Sequence, residues 1–249
     1  MRFGQRNLGW QRAVVAASFT LIAACNSPFD SSPTHPLTST GTGEAAQVIA
    51  IGDSQTAGAW LDDPATESWP ARLDDLLCPE TSCVTNIAVG GQPIGTVSPT
   101  GPPPLLAALD TQLALIEQAD TAVVLIGQLD LVSNDDTDQI VQWYGELEQR
   151  LAAFGINEVF FLTLLPFDTE SHPNPEWIPQ LEERRSAINA ALRTEWGRTQ
   201  HLVDLDGLLT EEGSAEFRPE LSIKDGNHLN ARGSAIVAAE VERRLRETQ

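Results

Sequence analysis

The chain has 249 residues, enough for one domain with a full hydrophobic core that needs neither metal nor disulfide to hold it. Acidic residues outnumber basic ones 35 to 15, a formal charge of -20, which repels phosphate backbones and anionic lipid surfaces and argues against nucleic acid as a partner. Most of that charge reads as a solvated acidic surface.

Arg2, Arg6 and Arg12 precede an apolar run over residues 13–24 that is too short to span a bilayer as a mature helix, the layout of a secretory signal. The run ends in Leu21-Ile22-Ala23-Ala24-Cys25, which resembles the bacterial lipoprotein signal. That resemblance implies removal of residues 1–24, lipid on Cys25 and attachment to a membrane through that lipid. The alternative is an ordinary secretory signal followed by an incidental cysteine. Residues 25–45 are rich in Ser, Thr, Pro and Gly, show no periodicity and read as a flexible tether ahead of a domain over 46–249. Cleavage would remove three arginines and take the charge from -20 to -23. Asn26 in second place of the mature chain is compatible with outer-membrane delivery, so the expected location is the cell envelope, facing the periplasm or the cell surface. In an exported protein the remaining cysteines, Cys78 and Cys83, are expected to pair and close a small loop, with two free thiols as the alternative.

From residue 46 onward, apolar runs alternate with amphipathic stretches. Residues 48–51, 84–89, 122–126, 159–162 and 202–205 are strand candidates, and 68–77, 104–118, 136–153, 176–196 and 230–247 have helical spacing. Leu105, Leu113 and Ile116 fall near one face of the second helix, while Pro70 and Asn230 stand where helix starts favour them. Five strand–helix repeats predict a three-layer α/β/α domain with a five-stranded parallel sheet of flavodoxin-like type. In such sheets ligands bind beyond the carboxyl ends of the strands. Ser54, Gly90-Gly91, the segment Gly127 to Asp130, and Leu165-Pro166-Phe167 each follow one of the first four runs.

Gly52-Asp53-Ser54-Gln55 and Asp225-Gly226-Asn227-His228 are each ordinary turn sequences when taken alone. Together they supply a serine, a base and an acid to orient it, with Asp225 and His228 spaced so that one turn presents both. In order along the chain, Gly52 to Gly58, Asn86 to Gly91, Gly127 to Asp130, and Asp225 to Asn230 resemble the four sequence blocks of the SGNH hydrolases, or GDSL-like lipase/esterase family, over about residues 46–246. Trp69-Pro70 and the segment Arg185 to Asn189 are weaker points of likeness. The resemblance implies a serine ester hydrolase, with Ser54 as nucleophile, His228 as base, Asp225 as its partner, and the N–H groups of Ser54 and Gly91 as oxyanion donors. The α/β-hydrolase elbow is disfavoured, since Thr56 stands where Gly-x-Ser-x-Gly requires the second glycine.

The third block departs from the family, which has Gly-x-Asn-Asp where this chain has Gly127-Gln128-Leu129-Asp130. The asparagine amide is the family's third oxyanion donor, and leucine has nothing to donate. Loss of one such donor costs ~3 kcal/mol of transition-state stabilisation. Gln128 and Asn134 are the candidates to replace it; otherwise the protein is slow, specialised or inactive. No cofactor and no metal are expected, because no His/Cys/Asp/Glu cluster has ligand spacing and no phosphate-binding loop is present. His35 falls in the tether, His172 in a Pro-rich loop bordering the site, and His201 before a strand, where a structural role is expected. The partners expected are a small-molecule or glycan ester and a membrane, with the protein a monomer. The rival is a non-catalytic envelope module that keeps the fold to bind a carbohydrate or another partner.

Overall fold

In the computed structural model the described residues are 47–199, 201–223 and 225–248. The signal, Cys25, the tether and His35 lie outside them. In chain order the regular elements are β1 (Val48–Gly52), α1 (Ser54–Ala57), α2 (Pro64–Glu67), α3 (Trp69–Leu77), β2 (Val84–Asn86), α4 (Leu105–Leu113), β3 (Thr121–Leu125), α5 (Gln128–Val132), α6 (Thr137–Phe154), β4 (Glu158–Leu162), α7 (Ile178–Glu195), β5 (Leu202–Val203), α8 (Asp206–Leu209) and α9 (Ala231–Glu247).

The strands form one parallel sheet in the order β2-β1-β3-β4-β5. β1 is buried along its length because both faces of the sheet are covered. Ile49 and Ile51 join a cluster with Val124, Phe161 and residues of α4, α6 and α7, including Leu109, Tyr144, Leu147 and Ile188. The alternate residues Val48 and Ala50 face the opposite cluster, which contains Trp69 and Leu73 of α3 and Val237, Val241 and Leu245 of α9. The period-2 alternation of side chains thus divides the core in two, giving the expected three layers. Strand order reverses on either side of β1, so a crevice opens beyond the carboxyl ends of β1 and β3.

Hydrogen bonding from distant residues makes several elements shorter than the sequence reading. β2 stops at Asn86, whose side chain donates to Thr56 O at 3.0 Å, although Ile87 N–H to Ala50 O at 2.9 Å and Val89 N–H to Gly52 O at 3.0 Å still tie the following segment to β1. β5 stops at Val203 because Asp204 turns to Arg193. The second helix ends at Leu113, short of residue 118. The short helices α1, α2, α5 and α8 were not separable from loops by periodicity. Cys78 and Cys83 are bonded to each other and buried, joining the end of α3 to the start of β2. Asp74 reinforces that join by accepting from the N–H groups of Cys83 and Val84. No helix among the described residues is long and apolar enough to cross a membrane.

Gly52 sets the distance between β1 and α1. A Cβ there would stand 2.1 Å from Thr56 Oγ1 and 2.3 Å from Leu125 O. Gly52→Ala should therefore destabilise the domain by about 2 kcal/mol or more, as overpacking does. Thermal unfolding checks this, and an unchanged melting temperature would contradict the close approach.

Candidate active site

α1 begins where β1 ends. Asp53 caps it, its Oδ1 accepting from Gln55 N–H at 2.9 Å, and Thr56 Oγ1 donates to Leu125 O at 3.1 Å, which pins the helix to β3. These bonds fix Ser54 at the first position of α1. Its Oγ lies 2.9 Å from His228 Nε2. On the other side of the ring, Nδ1 lies 2.5 Å from Asp225 Oδ2. That contact assigns the ring proton to Nδ1 and leaves Nε2 free to accept from the serine hydroxyl. Asp225 Oδ1 accepts from the N–H groups of Asn227 and His228, each at 3.0 Å. Burial pushes the Asp225 carboxyl up, but its bonds from His228 and Asn227 outweigh that and hold it below the ordinary value. The three residues picked from the two ends of the sequence are brought together as a serine–histidine–carboxylate chain of hydrogen bonds.

The loop carrying His228 is tight because of Gly226, at φ +72°, where a Cβ would meet Asp168 O and His172 N, each at 2.6 Å. Asp168 N–H donates to Gly226 O at 2.9 Å, so the loop after β4 packs directly on the histidine loop. His172 belongs to that packing, and its Nδ1 accepts from Asn174 N–H at 3.1 Å. His201 pairs with Glu158 and packs against Phe160, away from the triad.

Two glutamines hold the histidine loop: Gln55, to which the sequence assigned no role, and Gln128, expected instead as an oxyanion donor. Gln55 donates to Asn227 O at 2.7 Å and accepts from Leu229 N–H at 3.3 Å, gripping the backbone on both sides of His228. Gln128 donates to Leu165 O at 3.2 Å and to Asn227 Oδ1 at 3.1 Å. Both hydrogens of its amide are thereby used, which corrects the expectation that Gln128 replaces the missing oxyanion donor. Asn134 does not replace it either; it stands exposed beyond the far end of α5, at φ +66°. Leu129 occupies the second position of α5, half-buried. Asp130, the last residue of that block, is fully buried and accepts from the N–H groups of Ile94, Gly95 and Thr96 and from Thr96 Oγ1. It thereby fixes the segment that follows Gly91. Gly91 has φ +78° in a turn closed by Gln92 N–H to Val89 O, and among the described residues neither its N–H nor that of Ser54 donates to a protein acceptor.

Residues 50–236 match the GDSL-like lipase/acylhydrolase family. Solved structures share the fold at low identity. A GDSL-like lipase from Bacteroides thetaiotaomicron is 14% identical with a TM-score of 0.64, covering 82% of this chain and 90% of its own. A member of the lipolytic G-D-S-L family from Veillonella parvula is 17% identical with a TM-score of 0.61, covering 80% and 97%. A psychrotrophic esterase from Pseudoalteromonas sp. is 15% identical with a TM-score of 0.59, covering 81% and 97%. A search of curated proteins gave no match.

Asp53, beside Ser54, is a buried carboxyl. Burial raises its carboxyl from 3.8 to about 6, with the charge of Asp130 adding to the rise and the Gln55 N–H and His228 opposing it. Between these values the folded state keeps a proton that the unfolded chain has released, so stability falls as pH rises through that window and ionised Asp53 costs ~3 kcal/mol at neutral pH. Asp53→Asn keeps an oxygen to cap α1 and removes the charge. The variant should unfold at higher denaturant than the wild type at about pH 8 and lose the wild type's decline in stability between about pH 4 and 6. Superimposable stability–pH curves would refute the assignment.

Proposed function

The chain belongs to the GDSL-like lipase/acylhydrolase family, and from that premise we propose that it is a serine ester hydrolase acting on a carboxylic ester through Ser54, His228 and Asp225. The observation that carries this reading is the unbroken run of hydrogen bonds from Ser54 Oγ to His228 and on to Asp225. As Ser54 Oγ attacks the ester carbonyl, His228 Nε2 takes its proton and Asp225 stabilises the imidazolium that results. The carbonyl oxygen becomes an oxyanion held by the N–H groups of Ser54 and Gly91. His228 then returns the proton to the departing alcohol, leaving Ser54 acylated. Water, deprotonated by the same nitrogen, releases the acid and restores the hydroxyl.

Leu129 gives a specific reason to keep a second reading, a binding module that retains the fold. Against it stands the positioning around His228, since a module that only binds has no use for a base gripped on both sides and oriented by a carboxylate. One set of variants decides. Ser54→Ala and His228→Ala should each remove nearly all turnover of a simple activated ester while leaving the fold intact. Leu129→Asn should raise turnover, up to about a hundredfold if the restored amide reaches the oxyanion. A folded wild type that hydrolyses no ester above buffer would favour the binding module.

For the N-terminus we propose lipid attachment at Cys25 and residence in the cell envelope, supported by the layout of residues 1–25. Mass spectrometry of the mature N-terminus should find Cys25 first and carrying acyl groups. An unmodified N-terminus would overturn the anchor.

A further inference from the structure

Trp60 is the one bulky residue among the described residues that stands at positive φ, at +75°. It occupies the third position of the turn Gly58-Ala59-Trp60-Leu61, closed by Leu61 N–H to Gly58 O at 3.1 Å, where a positive φ ordinarily calls for glycine or asparagine. The left-handed conformation strains any residue with a Cβ. Burial does not compensate, for the side chain is 64% exposed. What the indole does meet is the base: its ring lies 6.1 Å from that of His228, inclined at 60°. An aromatic side chain held exposed in a costly backbone conformation against the catalytic base is poorly explained by folding alone.

We infer that Trp60 forms the wall of the subsite for the alcohol half of the substrate, and that this half presents a ring and no negative charge. The inference rests on the hydrolase reading and adds to it which half of the ester is recognised and by what chemistry. His228 Nε2 must reach the alcohol oxygen to protonate it as it leaves, so that oxygen lies within hydrogen-bond distance of the imidazole. The part of the alcohol nearest that oxygen is then brought beside the indole. A methyl group is too small to cover that surface, whereas a pyranose or aryl ring can lie along it. Asp62 and Asp63 follow after Leu61, both exposed, in a chain of net charge -20, so an anionic alcohol is repelled.

The test compares kcat/KM of the wild type, Trp60→Gly and Trp60→Phe on four esters: methyl acetate, methyl butyrate, phenyl acetate and the 6-acetate of methyl glucopyranoside. Relative to its effect on methyl acetate, Trp60→Gly should depress the ring-bearing esters about tenfold further, with Trp60→Phe recovering most of the loss. Phenyl acetate alone responding identifies an aryl alcohol, and the glucoside alone a sugar. An equal loss on all four esters, or a loss that follows the longer acyl chain, overturns the proposal. Trp60→Gly should also raise the melting temperature by about 2 °C through relief of the strained turn; a lower one makes Trp60 a packing residue and overturns the proposal. Binding is read without turnover by titrating the wild type with methanol, phenol and methyl glucopyranoside. The indole N–H resonance that disappears in Trp60→Phe should move with a ring-bearing alcohol and stay still with methanol. If no ester is hydrolysed yet that resonance moves, the hydrolase reading fails and the subsite stands; if it moves with neither ring, the subsite fails whatever the turnover.

Discussion

The amide of Gln55 is the contact that makes one site out of two ends of a chain. Ser54 sits on the first strand–helix turn, whereas His228 lies in a long connection between α8 and α9 that has little regular structure of its own. A hydroxyl–imidazole hydrogen bond contributes only about 1 kcal/mol net, too little to order such a segment by itself. Gln55 adds a donor to Asn227 O and an acceptor for Leu229 N–H, so the residue next to Ser54 pairs with the backbone around His228, the proposed base, much as a neighbouring strand would. The base is thus referenced to α1, and α1 to the sheet through Thr56 and Gly52. Gln128, bonded to Leu165 O and the Asn227 side chain, holds the same loop from α5.

The same device recurs along the carboxyl edge of the sheet, where strands end and their peptide groups lose ladder partners. Asn189 accepts from Leu164 N–H and donates to Leu164 O, completing the hydrogen bonding just past β4. Asn86 bonds Thr56 O, and Gln128 bonds Leu165 O together with the Asn227 side chain. A primary amide suits this place because it carries both donors and an acceptor and brings no charge into a buried crevice. Seen this way, the third block has not merely lost an amide at Leu129. The amide at Gln128 is committed to holding the histidine loop, and Leu129 beside it has no amide to offer.

The elements that could be read from the sequence were those dictated by short-range rules. Strand–helix alternation follows from periodicity, and Ser54, Asp225 and His228 from a serine, a base and an orienting acid in turn sequences, whereas Gly91 was implied only by the resemblance to the SGNH hydrolases. Cys78 and Cys83 were legible from their separation in an exported chain. Gln55 and Gln128 were not, because nothing local marks a glutamine as reaching a loop that lies 172 and 99 residues away. The early end of β5 was hidden for the same reason, since Asp204 turns to Arg193 on another element. Trp60 was passed over because an exposed tryptophan has no sequence signature; its strained φ and its approach to His228 exist only in three dimensions.

Costs concentrate at this edge and are offset by the core beneath it. Asp53 is buried with a carboxyl that resists ionisation, and Trp60 is held in a left-handed turn. Close by, Arg185 is buried among Glu182, Asp206 and Leu164 O, with burial raising the Glu182 carboxyl against the pull of that arginine. A buried ion pair of this kind contributes little net stability, yet removing one partner strands the other, so it acts as a geometric constraint. It holds the end of β4, and Glu182 also accepts from Phe167 N–H at the start of the loop that packs on Gly226. Asp53 admits a similar argument. The negative charge of ionised Asp53 and the positive charge of a protonated His228 attract, so an ionised Asp53 adds to Asp225 in favouring the imidazolium of the proposed acyl transfer. The two apolar layers on either side of the sheet supply the stability that makes such placements tolerable, which is why the residues that strain the fold and those that perform its chemistry occupy the same edge.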